Sequence, residues 1–567
     1  VIDGRQTPST RKRSAPVGAL LLITHRLSKS EASAFDERQR MPQRQPTVLV
    51  AEPLAPEGVA VLRAGGVEVR EAFDTAPAQL RSLVRDVDGL IVRSKTKVDA
   101  EMLAGAPALR VVGRAGVGVD AIDVAAATRQ GIVVLNTPDA STLATAEHTM
   151  AVMLALCRHL AEGHDRVREG RWSAKGLLGS ELAGKTLGMI GLGRIGAAVA
   201  ARARSFGMVL IAHDSFVSEA RAEALGAKLV PLDDLLVRAD FVTLHAPLTP
   251  QTHGLIGQRE LGLMKSSARL INCARGGLVV EEALLEALDA GHLAGAALDV
   301  VRGEPPPADA AVWRLLRHPK VFATPHLAGS THEAQARIAA DLCRDVLAVL
   351  LGHPPSGSVN APVAPSSAMR PFVELAAVLG RTYAQISDEP TLPAFSLTFE
   401  GELSDYDPRP FTAAFLVGLL RGVTDRRVSV VNSHQIAAEM GIAVETLAAP
   451  CERGFASALS VRGGRTSLAG TVVHGEQLRL VDVDGFEIDL APRGHIILTR
   501  HSDVPGIVGK AGTILGEAAL NISTMNVARR EDGQALMVLG VDRAPGVGVL
   551  ERLRDIGELR DARAIEL

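Results

Sequence analysis

At 567 residues the chain is long enough for about three or four domains, and 61 Lys plus Arg against 64 Asp plus Glu leave no global charge that would point to nucleic acid or to a membrane surface. An apolar fraction of 47% supports real cores, and no apolar run reaches the roughly 20 residues that a membrane-spanning helix needs. Four cysteines without a CxxC pair argue against a disulfide framework or a structural zinc site, so no metal is expected and a reducing, cytoplasmic setting fits.

Residues 1–46 stand apart. They carry basic residues in excess and no strand or helix rhythm. The chain begins with Val, and Met41 lies just before the first good strand, so a mis-assigned start is the reading taken. A disordered tail and a basic binding arm are the alternatives. From Thr47 strands and helices alternate. Strands are expected at Thr47–Ala51, Gly89–Arg93, Leu109–Gly113 and Gly131–Leu135, with a helix over Pro56–Ala64. Short apolar strands between helices imply a parallel sheet covered on both faces. One long apolar helix is read over Thr142–Glu162, crossing between domains. A second series follows, at Thr186–Ile190, Met208–His213, around Leu229, and at Phe241–Leu244, Arg269–Asn272, Gly295–Val300 and Val321–Ala323, closed by a helix Glu333–Leu351 with Gly352 as its stop.

The Pro- and Ser-rich stretch His353–Ala368 reads as a linker. Residues 371–490 mix helices with strands such as Val428–Val431 and Gln477–Val483, and show no chemical constellation. The last 75 residues run strand, helix, strand, strand, helix, strand, a ferredoxin-like βαββαβ module. There Asp503-Val-Pro-Gly506 is expected to cap a helix start.

Two signatures carry chemistry. GLGRIG at Gly191, Gly193 and Gly196 follows an apolar strand and opens an Ala-rich helix, and Asp214 ends the next strand 23 positions after Gly191. The glycines allow a tight turn, close approach of backbone to a pyrophosphate, and close helix–strand packing, while the acid can accept both ribose hydroxyls and would repel a 2′-phosphate. NAD is therefore preferred over NADP. Arg194 could add to pyrophosphate binding. The second signature is three charged residues: Arg275 in INCARGG, Glu304 in VRGEP and His326 in ATPHLAG. A guanidinium fork suits a carboxylate. An imidazole exchanges a proton near neutrality, and a carboxylate behind it would fix its tautomer. Oxidation of a 2-hydroxy acid needs those functions beside a nicotinamide.

Several strings carry a resemblance. They are VRSKTKVD (92–99), GRAGVGVDAIDV (113–124), NTPDASTLATAEH (136–148), ELAGKTLGMIGLGRIG (181–196), HAPLTPQTHGLI (245–256), INCARGG (271–277), LDV (298–300) and TPHLAGST (324–331). In these the chain resembles the D-isomer-specific 2-hydroxyacid dehydrogenases, and beyond residue 370 it is similar to their long bacterial members, in VNSHQIAAEMGI (431–442), the 470–486 run and an ACT-like tail. The resemblance implies an α/β chain with two Rossmann-like lobes of parallel sheet, then an α+β intervening domain and a ferredoxin-like ACT domain. The implied limits are 47–140 with 328–362 for the substrate lobe, 141–327 for the NAD lobe, 363–491 and 492–567. It implies Arg275, Glu304 and His326 as the catalytic trio. Ile195, Ala274 and Asp299 join Gly191, Gly193, Arg194, Gly196 and Asp214 around the cofactor. Arg93, Ser94, Gly116, Val117 and Gly118 hold a small phosphorylated 2-hydroxy acid, with Lys95, or Arg168, Arg171 or Lys175 from a second copy, adding charge. Another 2-hydroxy acid (glyoxylate, lactate, hydroxypyruvate) and a catalytically silent NAD-binding corepressor are the alternatives. His501, Asp503 and Asn521 match an effector site for L-serine, and a homotetramer is implied. Val301 replaces a usual Phe, and the stretch from Glu304 to His326 is longer than is common.

Overall fold

The structure is a computed structural model that describes residues 44–353, 355–362, 366–389, 392 and 394–567. The reading of residues 1–46 as a foreign segment lies outside the described residues for all but its last three, and part of the 353–368 linker does as well. The chain forms two compact units, one spanning Pro46–Val363 and the other holding Ala364–Leu567.

The first unit contains two parallel sheets. In the first, β1 (Thr47–Val50), β2 (Glu68–Glu71), β3 (Gly89–Val92), β4 (Val111–Arg114) and β5 (Val133–Leu135) lie in the order β2-β1-β3-β4-β5. Apart from the end of β4 and the edge strand β2, these strands are buried along their length, as near-continuous Val, Leu and Ile require of a sheet covered on both faces. Strand β2 was not expected: EVRE has no apolar rhythm, because it is an edge strand exposed along most of its length and held only by its pairing to β1. In the second sheet, β6 (Thr186–Ile190), β7 (Val209–His213), β8 (Ala227–Leu229), β9 (Phe241–Leu244), β10 (Arg269–Asn272), β11 (Gly295–Leu298) and β12 (Val321–Ala323) lie in the order β12-β11-β10-β9-β6-β7-β8. Its first strand therefore sits inside the sheet, with the chain running outward to both sides. That reversal makes a crevice at the carboxyl ends of β6 and β9, the position where open α/β sheets bind ligands.

A helix that follows the first sheet in the chain and packs against the second ends at Cys157 rather than Glu162. The Cys157 carbonyl accepts the Ser180 N–H at 2.9 Å instead of continuing the helix, His159 turns left-handed at φ 51°, and a separate helix Leu160–Arg168 begins. After β12 the helix His332–Leu350 returns to the first sheet, where Leu342 and Val346 lie over Gly113. The segment beyond it binds β5 through Asn360 Oδ1, which accepts the Val134 N–H at 2.8 Å.

The second unit has a six-stranded sheet, β13 (Phe395–Gly401), β14 (Val444–Ala449), β15 (Ser457–Gly463), β16 (Thr466–Val473), β17 (Gln477–Val483) and β18 (Phe486–Leu490), in the order β14-β13-β15-β16-β17-β18. The helices Arg370–Ile386 and Arg409–Leu420 pack with it, and Tyr383, Phe395 and Phe415 meet edge to face in the core. Val428–Val431 is not a strand. Asn432 Oδ1 accepts the Ser429 N–H and Asn432 Nδ2 donates to the Arg427 carbonyl, which folds the segment into a turn before the helix Ser433–Glu439.

The tail is antiparallel, with β19 (His495–Ser502), β20 (Ile522–Arg529), β21 (Gln534–Val541) and β22 (Leu559–Glu566) in the order β20-β21-β19-β22 and two helices on one face. The other face, including Ile496, Leu498, Leu536 and Val538, joins the core around Tyr383. Asp503 does not cap the first helix of this module. Gly506 stands at that position with φ 95°, and the Asp503 carboxylate pairs instead with Arg529 Nε at 3.2 Å.

Candidate active site

The turn after β6 is shaped by contacts that leave no room for side chains. A Cβ on Gly191 would lie 2.7 Å from the His245 carbonyl just past the end of the neighbouring strand β9, and one on Gly196 would lie 2.3 Å from the Gly191 oxygen. Above exposed Gly193 nothing lies within 4 Å, so the backbone there is open to a ligand at the start of the helix Arg194–Ser205. Asp214 anchors beside the same turn: Oδ2 accepts the Leu192 N–H at 2.8 Å, and Oδ1 accepts those of Phe216 and Val217. Burial opposes its ionisation, but the three N–H groups outweigh burial and hold the carboxyl below its usual range. An acid whose charged form is favoured, next to an open glycine turn, fits the ribose and pyrophosphate of a dinucleotide, and Ile195 is half-buried. Arg194 is mostly exposed and ion-paired with Asp139.

Beyond the carboxyl ends of β11 and β12, at one edge of the same sheet, the structure joins His326 to Glu304. Their Nδ1 and Oε2 are 2.6 Å apart, and the other carboxylate oxygen, Oε1, accepts the Val301 N–H at 2.7 Å. With Nδ1 committed, Nε2 is the atom left to exchange a proton. Nearly half of the His326 side chain is exposed. His326 itself stands in the left-handed region at φ 54°.

Arg275 leaves β10 at a turn tied by Asn272, whose Oδ1 accepts the Ala274 N–H and whose Nδ2 donates to the Arg275 carbonyl. Its Nη1 donates to the Ala274 carbonyl at 2.7 Å, and its Nε lies 3.6 Å from Asp120. The next residue, Gly276, is pressed against the Val301–Arg302 peptide, so the arginine turn and the Glu304 loop touch. Arg275 also faces the first sheet: a Cβ on Gly118 would meet its Nη2 at 2.3 Å. The loop 115–118 thus approaches the guanidinium at Gly118. Arg93 is half-exposed with Nη1 on the Pro53 carbonyl, and Ser94 is exposed beside it.

Three groups here escaped the sequence reading. Glu52, buried at the end of β1, accepts the backbone N–H groups of Arg93, Lys95 and Thr96, and these outweigh its burial and keep it ionised. Arg114 lies under Gly116, whose φ of 142° leaves the guanidinium where a Cβ would go. Burial, and then the like charges of Arg275 and Arg93, push its pKa down to about 10, so it stays a cation at neutral pH. The third is His148, whose Nε2 lies 3.1 Å from Asp299. An acid or an arginine at the carboxyl end of an apolar strand, and one imidazole inside an apolar helix, were the available signals. Three guanidinium groups, Arg93, Arg114 and Arg275, consequently share one electrostatic neighbourhood with Glu52 and Asp120, which suits a small ligand bearing two anionic groups.

Asp299, expected near the cofactor, has no exposed side-chain surface and directs both oxygens to the 324–328 turn. Ala274 is half-buried beside Arg275. In the second unit His501 is buried, and burial lowers its pKa, whereas Asp503 and Asn521 are exposed. Among the described residues no group of three His, Cys, Asp or Glu could hold a metal ion, and no helix is long and apolar enough to cross a membrane.

Comparison with known proteins agrees with this layout. Residues 150–328 match the D-isomer specific 2-hydroxyacid dehydrogenase NAD binding domain, residues 368–484 the D-3-phosphoglycerate dehydrogenase intervening domain, and residues 495–558 the ACT domain. A D-3-phosphoglycerate dehydrogenase of Synechocystis is 38% identical over 530 residues, covering 92% of this chain and 94% of its own. One of Mycobacterium leprae is 40% identical over 529 residues, covering 91% and 96%. Among solved structures, a glyoxylate reductase from Paecilomyes thermophila is 30% identical with a TM-score of 0.51, covering 56% of this chain and 99% of that one.

Proposed function

The chain belongs to the D-3-phosphoglycerate dehydrogenase family, and we propose that it is an NAD-dependent dehydrogenase that oxidises D-3-phosphoglycerate to 3-phosphohydroxypyruvate, the first step of L-serine synthesis. The observation that carries the reading is the His326–Glu304 pair at 2.6 Å beside an arginine cluster suited to two anionic groups. Arg275 binds the carboxylate and steadies the C2 oxygen. Arg93 and Arg114, with Lys95, face the phosphate, and Ser94 and the backbone of Gly116, Val117 and Gly118 complete the cradle. His326 takes the C2 hydroxyl proton at Nε2 while Glu304 holds Nδ1–H and so fixes the tautomer. Bound NAD supplies the hydride acceptor. Gly191, Gly193, Ile195 and Gly196 place it, Asp214 receives its ribose, and Arg194, on leaving Asp139, can meet its pyrophosphate.

The lobes are taken as 47–140 with 328–362, and 141–327, followed by the intervening domain 363–491 and the ACT domain 492–567. The ACT domain suggests an effector. L-serine is the candidate, with Asp503 and Asn521 the residues open to it and His501 behind them. A homotetramer in the cytoplasm completes the reading. Leu160 and Val167 on one helix, with Trp172 and Leu178 after it, leave apolar surface exposed for a second copy. The test is NADH formation with D-3-phosphoglycerate, D-lactate, glycolate and D-glycerate, with and without L-serine, together with light scattering. Preference for the phosphorylated acid supports the assignment. Equal or better turnover of an unphosphorylated acid refutes it, and a rate indifferent to L-serine removes the effector.

A further inference from the structure

His326 has to be held in a conformation that residues other than glycine seldom adopt. What holds it lies beneath it. The Asp299 carbonyl accepts the His326 N–H at 2.8 Å. The Asp299 side chain takes the next two backbone donors, Leu327 N–H on Oδ1 at 2.7 Å and Ala328 N–H on Oδ2 at 3.0 Å, and the Thr324 hydroxyl on Oδ1 at 2.6 Å. One fully buried carboxylate thus ties both sides of the turn. A fourth donor reaches it from outside the turn. His148, on the helix Thr142–Cys157, has Nε2 at 3.1 Å from Asp299 Oδ1 and 3.2 Å from Thr324 Oγ1. Since the Thr324 proton points at Asp299, the proton on Nε2 is the one His148 contributes. Burial, and then the Asp299 charge, push the neighbouring Cys273 thiol up to about 12, so it remains neutral and adds no competing anion.

We propose that His148 is a positioning residue of the reaction: through the Asp299 carboxylate it holds the Thr324–Ala328 turn in the shape that presents His326 to Glu304 and to substrate. His148 touches neither reacting atoms nor the base itself, and its effect passes through Asp299. Because His148 belongs to the helix Thr142–Cys157, which packs against the second sheet, the link also ties the base to that helix. The proposal rests on the reading of His326 as the base, and it gives Asp299 a task besides the cofactor contact implied by resemblance.

The experiment compares full-length wild type, His148→Ala, His148→Gln and His326→Ala in steady-state NADH formation with D-3-phosphoglycerate across pH 6 to 9.5, with NAD affinity read by tryptophan fluorescence. The expected result for His148→Ala is a kcat lowered about 10- to 100-fold, the effect of a small misplacement, with a displaced acidic limb of the pH–kcat profile and unchanged NAD affinity. His148→Gln, whose amide N–H can reach the same oxygen, should recover most of the rate. If His148→Ala does not fold, His148→Asn, too short to reach Asp299, carries the same expectation. Wild-type kcat and pH profile in His148→Ala would overturn the proposal, whatever its melting temperature. So would a loss of rate with NAD affinity falling in parallel and no rescue by Gln. Undiminished turnover in His326→Ala would sink the functional reading and this inference together, whereas a dead His326→Ala beside an unaffected His148→Ala would sink this inference alone.

Discussion

Gly118 lacks a side chain where the Arg275 guanidinium passes, 2.3 Å from the place a Cβ would take. The far end of an arginine can move, so Gly118→Ala should leave the fold intact and displace the charge proposed to meet the substrate carboxylate. The expectation is a fall of about 10-fold or more in kcat/KM for D-3-phosphoglycerate with melting temperature and NAD affinity unchanged. Wild-type kinetics would show that Arg275 need not occupy that position. At this scale the sequence disclosed residue types rather than partners. His326, Glu304 and Arg275 stood out because their chemistry suits a hydroxy acid, and Gly191 and Gly196 because of their spacing. Arg114 and Glu52 did not, because their importance lies in Gly116 and in the N–H groups of Arg93, Lys95 and Thr96, which folding brings to them.

Among the elements, the crevice between β6 and β9 has a pH sensitivity of its own. His245 follows β9, lies beneath the glycine turn, and has Nε2 3.1 Å from the buried Thr243 hydroxyl. Burial pushes its pKa down from 6.5 to about 4. The unfolded chain therefore takes up this proton before the folded one does. The stabilisation is whole above pH 6.5 and is lost as pH falls toward 4, by at most about 3 kcal/mol for a shift of that size. Denaturation between pH 7.5 and 4.5 should show wild type losing stability more steeply than His245→Gln, which keeps a partner for Thr243 and has no proton to gain. Parallel slopes would rule this out. Element positions were legible wherever burial writes a pattern, as in β1, β3 and β6. They were not legible in β2, an exposed edge held by pairing alone, nor at the Cys157 helix end, where Ser180 takes the carbonyl from 23 positions away.

For the whole molecule, every residue given a role in the chemistry lies within Pro46–Val363, and the glyoxylate reductase that the chain resembles is covered almost whole by 56% of this chain. A fragment of residues 46–363 should form NADH from D-3-phosphoglycerate without responding to L-serine. A folded but inactive fragment would show that the site needs the other unit. Removal of residues 492–567 alone should fare worse. It would strip Ile496, Leu498, Leu536 and Val538 from the core they share with Tyr383 and Phe415, so the remaining 363–491 segment should melt earlier and expose apolar surface to a dye. Unchanged melting would mean that the two domains have separate cores.

By itself the sequence determined the kind of chemistry, the α/β architecture and the family, because glycine spacing, apolar rhythm and the choice of charged side chains are local properties that survive in a one-dimensional record. The tertiary structure alone decided which groups meet: Glu304 with His326, Gly118 with Arg275, and His148 with Asp299 across 151 positions. It also decided that the face of a sheet expected to be a separate module is buried in its neighbour's core. The reason is physical. A hydrogen bond or a close contact depends on distances of a few ångströms between groups far apart in the chain, and only the packing of the sheets and helices sets those distances.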